Sequence, residues 1–238
     1  MTTQPRSASC MPDACFCEAI RSDGVMQPAN TVSSFAFVIA AAWVMLRSAQ
    51  RGRPDALRTQ NRFTSRAAYS IPFALTLVVV GLGSAYFHAT LTFRGQFVDV
   101  VGMYLIATFA LLYSMDRLRG FSATGLIVSY LAMNVVLAAV LYWLPVVRRG
   151  VFGLLIAAVL ITAMLIGRKR GADPASRHLW IAAAIMAVAF VIWTLDITRT
   201  VCSPASWIQG HAVWHVLGAV ASWYLYRYYA DSEQVRSS

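Results

Sequence analysis

Seven apolar runs recur along the chain, at about residues 31–46, 67–87, 97–115, 121–144, 151–167, 178–198 and 208–229, each bounded by Arg, Pro, Gly or Ser. They restrict the fold strongly, because such runs approach the ~20 residues that cross a hydrocarbon core as an α-helix. A helix suits that setting because it satisfies its backbone hydrogen bonds internally. Seven spans need roughly 140 residues of the 238 available, which leaves short loops and no room for a separate soluble domain. Composition agrees: 58% of the residues are apolar and 13% charged, against roughly 45–50% and 25% in an ordinary soluble domain. The expected fold class is an all-α integral membrane protein. Its expected layout is an N-terminal segment at 1–30, a seven-transmembrane-helix bundle at 31–229 and a tail at 230–238. Only Pro145, Arg148 and Arg149 divide the fourth run from the fifth, so six helices is the alternative count.

The formal charge of +10 has no nucleic-acid pattern, since the basic residues sit in the gaps between apolar runs. One set of loops holds Arg47, Arg51, Arg53, Arg58, Arg62, Arg66, Arg117, Arg119, Arg168, Lys169, Arg170, Arg177, Arg227 and Arg236. The other holds Arg6, Arg21, Arg94, Arg148, Arg149 and Arg199, so the division is 14 to 6. By the positive-inside rule the C-terminus is expected in the cytoplasm and the N-terminus on the opposite face. The first 30 residues carry Pro5, Pro12, Asp13, Glu18, Asp23 and Pro28 and lack the apolar stretch of a secretory signal, so the first apolar run is expected to direct targeting. No internal repeat is visible, which weighs against inverted-repeat transporter folds.

Ionisable residues within spans are costly and mark function by default. With this topology His88 ends the second helix, Asp99 begins the third, and His211 and His215 begin the seventh, all toward the extracytoplasmic face; His178 starts the sixth. In His211-Ala-Val-Trp-His215 the i, i+4 spacing puts two imidazoles on one helix face, as two ligands of one metal require. Ser84-Ala-Tyr-Phe-His88 repeats the spacing with a hydroxyl in the first place. Three neutral imidazoles with an open fourth position are a catalytic zinc set. Asp99 is then placed to take a proton from water, and Ser84 to donate to a developing oxyanion. Taken singly, the histidines read as interhelical hydrogen-bonding groups, Ser84 as a small packing residue and Asp99 as a structural acceptor. The joint pattern favours the metal site. Haem ligation by two histidines is a further reading, whereas a retinal Schiff base is excluded because the only lysine, Lys169, lies in a loop. All four cysteines, Cys10, Cys15, Cys17 and Cys202, fall on the extracytoplasmic side, where disulfides form; Cys15-x-Cys17 as a soft-metal site is the alternative.

The run Gly83-Ser84-Ala85-Tyr86-Phe87-His88-Ala89-Thr90-Leu91, then Asp99, then Gly210-His211-Ala212-Val213-Trp214-His215, resembles the motifs of the alkaline ceramidases. These belong to a superfamily of seven-helix membrane hydrolases that includes the adiponectin and progestin receptors and the hemolysin III-like proteins. Trp193-Thr194-Leu195-Asp196, Cys202, Cys17-Glu18 and Asn30-Thr31 resemble ceramidases more than receptors, as does the non-cytoplasmic N-terminus. The resemblance implies one zinc on His88, His211 and His215, with Asp99 acting on water, Ser84 beside the metal and Trp214 lining the substrate cavity. It further implies a Cys17–Cys202 disulfide pinning the N-terminal segment over the site. In eukaryotic ceramidases an acidic N-terminal cluster binds calcium. Here the stretch reads Cys15-Phe16-Cys17-Glu18-Ala19-Ile20, with Gln27 in the place of a later Glu. Even with Asp13 and Asp23 this offers few of the six or more oxygens calcium takes, so no calcium site is expected.

The expected activity is zinc-dependent hydrolysis of a ceramide or ceramide-like N-acyl lipid to a fatty acid and a long-chain amine. A lipid suits a site among membrane helices because it enters from the bilayer side. The alternative is a receptor-like or hemolysin III-like protein with a structural zinc. The short loops, the preponderance of Arg over Lys and the missing calcium ligands point to a bacterial inner membrane.

Overall fold

The computed structural model describes residues 6–11, 15–51, 63, 67–171 and 173–232. Asp13, Arg53, Arg58, Arg62, Arg66, Arg236 and the tail from 233 onward lie outside the described residues. Those described form seven α-helices and no strand: α1 Pro28–Arg51, α2 Ala67–Thr90, α3 Phe93–Arg119, α4 Ala123–Trp143, α5 Arg148–Arg170, α6 Ser176–Ile197 and α7 Gly210–Asp231. Several outrun their apolar stretches at ends rich in Arg. The first six are long and apolar enough to cross a membrane. The seventh is not among these spans; it carries two histidines, four tyrosines, Arg227 and Asp231, and many of these polar residues are buried.

The doubtful boundary at Pro145 is a helix break. The residue before a proline is steered away from helical backbone, and Leu144 leaves the helix at φ −130°, ψ 61°. A single 3-10 turn, Pro145–Val147, leads into α5. Arg148 Nη1 donates to the Pro145 carbonyl at 2.7 Å, and Tyr104 donates its hydroxyl to the Arg148 carbonyl at 3.1 Å.

Residues 1–99 with 174–238 form one compact unit and residues 100–173 another. In the second, α3 and α4 are joined by a polar clip in which Asn134 Nδ2 donates to Thr108 Oγ1 at 2.9 Å and Tyr130 donates to the Leu105 carbonyl at 3.3 Å. In the first, α1 packs on α2 and α7, and α6 packs on α7. Without a hydrophobic force between helices in lipid, close approach through small residues supplies the contact. At Gly81 a Cβ would stand 2.8 Å from the Val38 side chain and 3.1 Å from the Ser34 carbonyl, so α1 and α2 cross at a place that only glycine leaves open. Between α2 and α3 the chain turns at Leu91, a leucine in left-handed backbone (φ 46°). Its strain is offset by burial against Ala8, Cys15, Phe16 and Phe87. This turn makes the end of α2 and the start of α3 neighbours.

Replacing Gly81 by Ala should lower the apparent Tm of the detergent-solubilised protein by the equivalent of about 1–3 kcal/mol of overpacking. Gly150→Ala, where a Cβ meets nothing within 4 Å, should leave it unchanged or raise it. Equal responses at the two positions would refute the close α1–α2 crossing.

Candidate metal centre

His88 lies in the last turn of α2 and Ser84 one turn earlier; His211 and His215 lie in the first two turns of α7. All four are buried. The helical i, i+4 spacing aims each pair to one side, and the packing of the unit brings the pairs together. One ligand nitrogen from each imidazole lies within 4.8 Å of the others. His88 Nε2 and His211 Nε2 are 3.2 Å apart. Two nitrogens at 2.0–2.1 Å from a tetrahedral zinc are separated by about 3.3 Å, so this pair already has the spacing of a shared ion. Ser84 Oγ is 3.2 Å from His215 Nε2.

Each outer nitrogen of His88 and His215 has a partner from the start of α1 or just before it. His88 Nδ1 meets Gln27 Oε1 at 2.9 Å. His215 Nδ1 meets Ser33 Oγ at 2.8 Å and Ser34 Oγ at 3.4 Å. Against the third histidine lies an aromatic face: the Phe16 ring stacks on His211 with centroids 3.8 Å apart and planes 18° apart.

Phe16 is held there by an N-terminal segment whose described residues form no helix. Ser7 pairs with Thr92 in an antiparallel bridge, and Ala8 donates to the Leu91 carbonyl at 3.0 Å. Farther on, Met26 and Gln27 donate to the carbonyls of Ala89 and His88. Cys10 is bonded to Cys15 and Cys17 to Cys202, so disulfide cysteines flank Phe16 on both sides. The buried Asp196 carboxylate accepts the Cys17 amide through Oδ2 and the His211 amide through Oδ1, each at 3.1 Å. It thus caps the start of α7 and fastens the segment in the same stroke. Glu18 does the equivalent for α1: with Pro28 opening the helix, the amides of Ala29 and Asn30 donate to its two carboxylate oxygens at 2.7 and 2.9 Å. Burial pushes the Glu18 carboxyl above its ordinary value, against the lowering effect of the Asn30 and Ala29 amides and of Arg21.

The remaining expected site residues stand as follows. Asp99, the seventh residue of α3, is half-buried and is not a member of the three-histidine group. Trp214 is buried against Phe190 and Trp193 of α6, with centroid distances of 4.7 and 5.8 Å. His178, at the opposite end of its helix pair from the cluster, approaches Asp231 at 3.3 Å.

A family model described as Ceramidase matches residues 13–236. The chain belongs to the ceramidase family. The Dictyostelium discoideum protein named "Putative alkaline ceramidase dcd3B" is 25% identical over 228 residues, covering 85% of this chain and 79% of its own length. The "Alkaline ceramidase" of Drosophila melanogaster is 28% identical over 242 residues, covering 96% of this chain and 80% of its own length. The match takes in both the histidine-bearing helices and most of the N-terminal segment of this ceramidase-family chain.

Several residues around the centre escaped the sequence reading. In the sequence Gln27 stands out only as a departure from an acidic pattern, and Asp196 only as part of a motif. Asn30, like Asp196, figures only within a motif, and Phe16 and Ser33 carry no signal of their own. Asn30 is fully buried, and neither atom of its side-chain amide has a hydrogen-bond partner among the described residues.

Asp196→Ala strands two buried amides at about 1–3 kcal/mol each, so its apparent Tm should fall well below that of Asp196→Asn, which keeps one acceptor. Similar values for the two variants would remove the capping role. Because the folded protein holds the Glu18 proton more tightly than the unfolded chain does, this group's contribution to stability falls as pH rises above the ordinary carboxyl value of 4.5. The apparent Tm of Glu18→Gln, which does not titrate, should therefore gain on the wild type between acid and neutral pH. A difference constant with pH would show that burial does not perturb this carboxyl.

Proposed function

We propose that the chain is a zinc-dependent intramembrane amidase that cleaves ceramide, or a ceramide-like N-acyl lipid, to a fatty acid and a long-chain amine. The observation that carries this reading is the group of three buried imidazoles with mutually close ligand atoms, in a chain that belongs to the ceramidase family. The relatives' names point the same way, since both contain "alkaline ceramidase".

His88, His211 and His215 would hold the ion, and an all-imidazole donor set suits zinc. When bound there, zinc would polarise the amide carbonyl and lower the pKa of the attacking water. Asp99 takes a proton from that water as its oxygen adds to the carbonyl carbon. As the carbon–nitrogen bond breaks, the same carboxyl returns the proton to the leaving amine, which balances the hydrolysis. Ser84, already beside His215, donates to the oxygen that gains charge. Trp214, with Phe190 and Trp193, forms an aromatic wall for an acyl chain.

In the membrane we assign α7 as the seventh span, its histidines and tyrosines turned inward from lipid. The N-terminus then lies on the extracytoplasmic face and the C-terminus in the cytoplasm. The loop arginines favour this orientation, and two disulfides on the N-terminal side agree with an oxidising compartment. The two relatives are from eukaryotes, so they lend no weight to a bacterial membrane in particular.

Mass spectrometry of a defined ceramide incubated with zinc-loaded protein should detect free fatty acid and sphingoid base with the wild type and neither with His215→Ala. Asp99→Asn should lose about 100-fold or more of the rate while still binding zinc. A wild type that holds zinc and releases neither product would reject ceramide as substrate, and an active Asp99→Asn would remove Asp99 from proton transfer.

A further inference from the structure

Gln27 stands immediately before α1, fully buried, and links two parts of the structure that share no helix. Its side-chain Nε2 donates to the Glu18 carbonyl at 3.2 Å, and its Oε1 lies 2.9 Å from His88 Nδ1. Its own backbone amide donates to the His88 carbonyl at 3.0 Å. The two ends of a primary amide are chemically opposite: the nitrogen only donates and the oxygen only accepts. A carbonyl is solely an acceptor, so Glu18 requires the Gln27 nitrogen on its side. The oxygen must then face His88, and Nδ1 must be the nitrogen that carries the hydrogen. His88 is left with the lone pair on Nε2, the atom that faces His211 at 3.2 Å. The serine hydroxyls at His215 impose no such choice, because a hydroxyl either donates or accepts.

We propose that Gln27 is a positioning residue that fixes His88 in the Nδ1–H form with Nε2 free for the metal, and so couples metal affinity to the seating of the N-terminal segment. The Glu18 carbonyl that orients the amide is itself immobilised. Its residue caps α1 through the side chain, and it follows Cys17, which is bonded to Cys202 and donates to Asp196. A chain of contacts therefore runs from the disulfide through Glu18 and Gln27 to His88. A metal-ligating imidazole whose other nitrogen loses its acceptor typically gives up 10–100-fold in metal affinity or activity.

This inference rests on the metal-site reading but not on ceramide as substrate, and the test separates the two. Zinc affinity of the full-length, detergent-solubilised protein would be measured by competition with a chromophoric chelator for wild type, Q27M, Q27E and H88A. Apparent Tm without metal would be measured in parallel. Q27M keeps the length but not the acceptor and should bind zinc about 10–100-fold more weakly. Q27E keeps an oxygen opposite Nδ1 and should remain within a few-fold of the wild type. Wild-type affinity in Q27M would overturn the proposal. So would a Q27E that folds yet weakens as much as H88A, an arm that decides the question even if Q27M does not fold. A wild type that binds no zinc would overturn the metal site and this proposal together. The expected order of affinities without ceramide hydrolysis would support Gln27's role and reject only the substrate.

Discussion

An imidazole taken out of water needs a donor for one nitrogen and an acceptor for the other, and here that demand arises three times with ligand atoms within 4.8 Å. Helices built for lipid have little to answer it with. The partners come from the few polar side chains near the cluster: Ser84 on α2, Ser33 and Ser34 in the first turns of α1, and Gln27 just before it. Where α1 begins is therefore not a detail of helix length. Pro28 opens it, Glu18 caps it, and the result places the two serines against His215 and the glutamine against His88.

The segment that supplies Gln27 and Phe16 has no helix among its described residues, so it is fastened by bonds that do not depend on regular structure. Two disulfides, a short backbone pairing with the α2–α3 turn and the bidentate grip of Asp196 hold it. A buried carboxylate is costly unless its oxygens are hydrogen-bonded. Asp196 meets that condition by taking one amide from the segment and one from α7. The same group that completes a helix terminus thus registers the segment on the site.

The parts legible in the sequence were those with a period. Apolar runs of near-span length announced the helices, and the i, i+4 recurrence of Ser84 with His88 and of His211 with His215 announced which residues would share a face. The helix count at Pro145 was open because a single proline kinks some helices and ends others. Here Leu144 leaves the helix before it. Nothing periodic marks Gln27, Phe16, Asn30 or Asp196. Their roles arise from contacts between a loop and helices distant in sequence, as when Cys17 meets Asp196 across 179 positions. The low apolarity of α7 has the same root, since a helix that carries the centre gives up lipid-facing character for buried polar groups.

The Cys17–Cys202 bond joins a residue ahead of the first helix to one just ahead of the last, 185 positions later. During synthesis the N-terminal cysteine emerges long before its partner exists, and it must wait through six helices for the loop that precedes α7. His211 and His215 follow that loop by only a few residues. The clasp and the last two imidazoles therefore reach the membrane together. A chain interrupted before the loop that carries Cys202 would have neither the full set of three histidines nor the bond that closes the N-terminal segment over it.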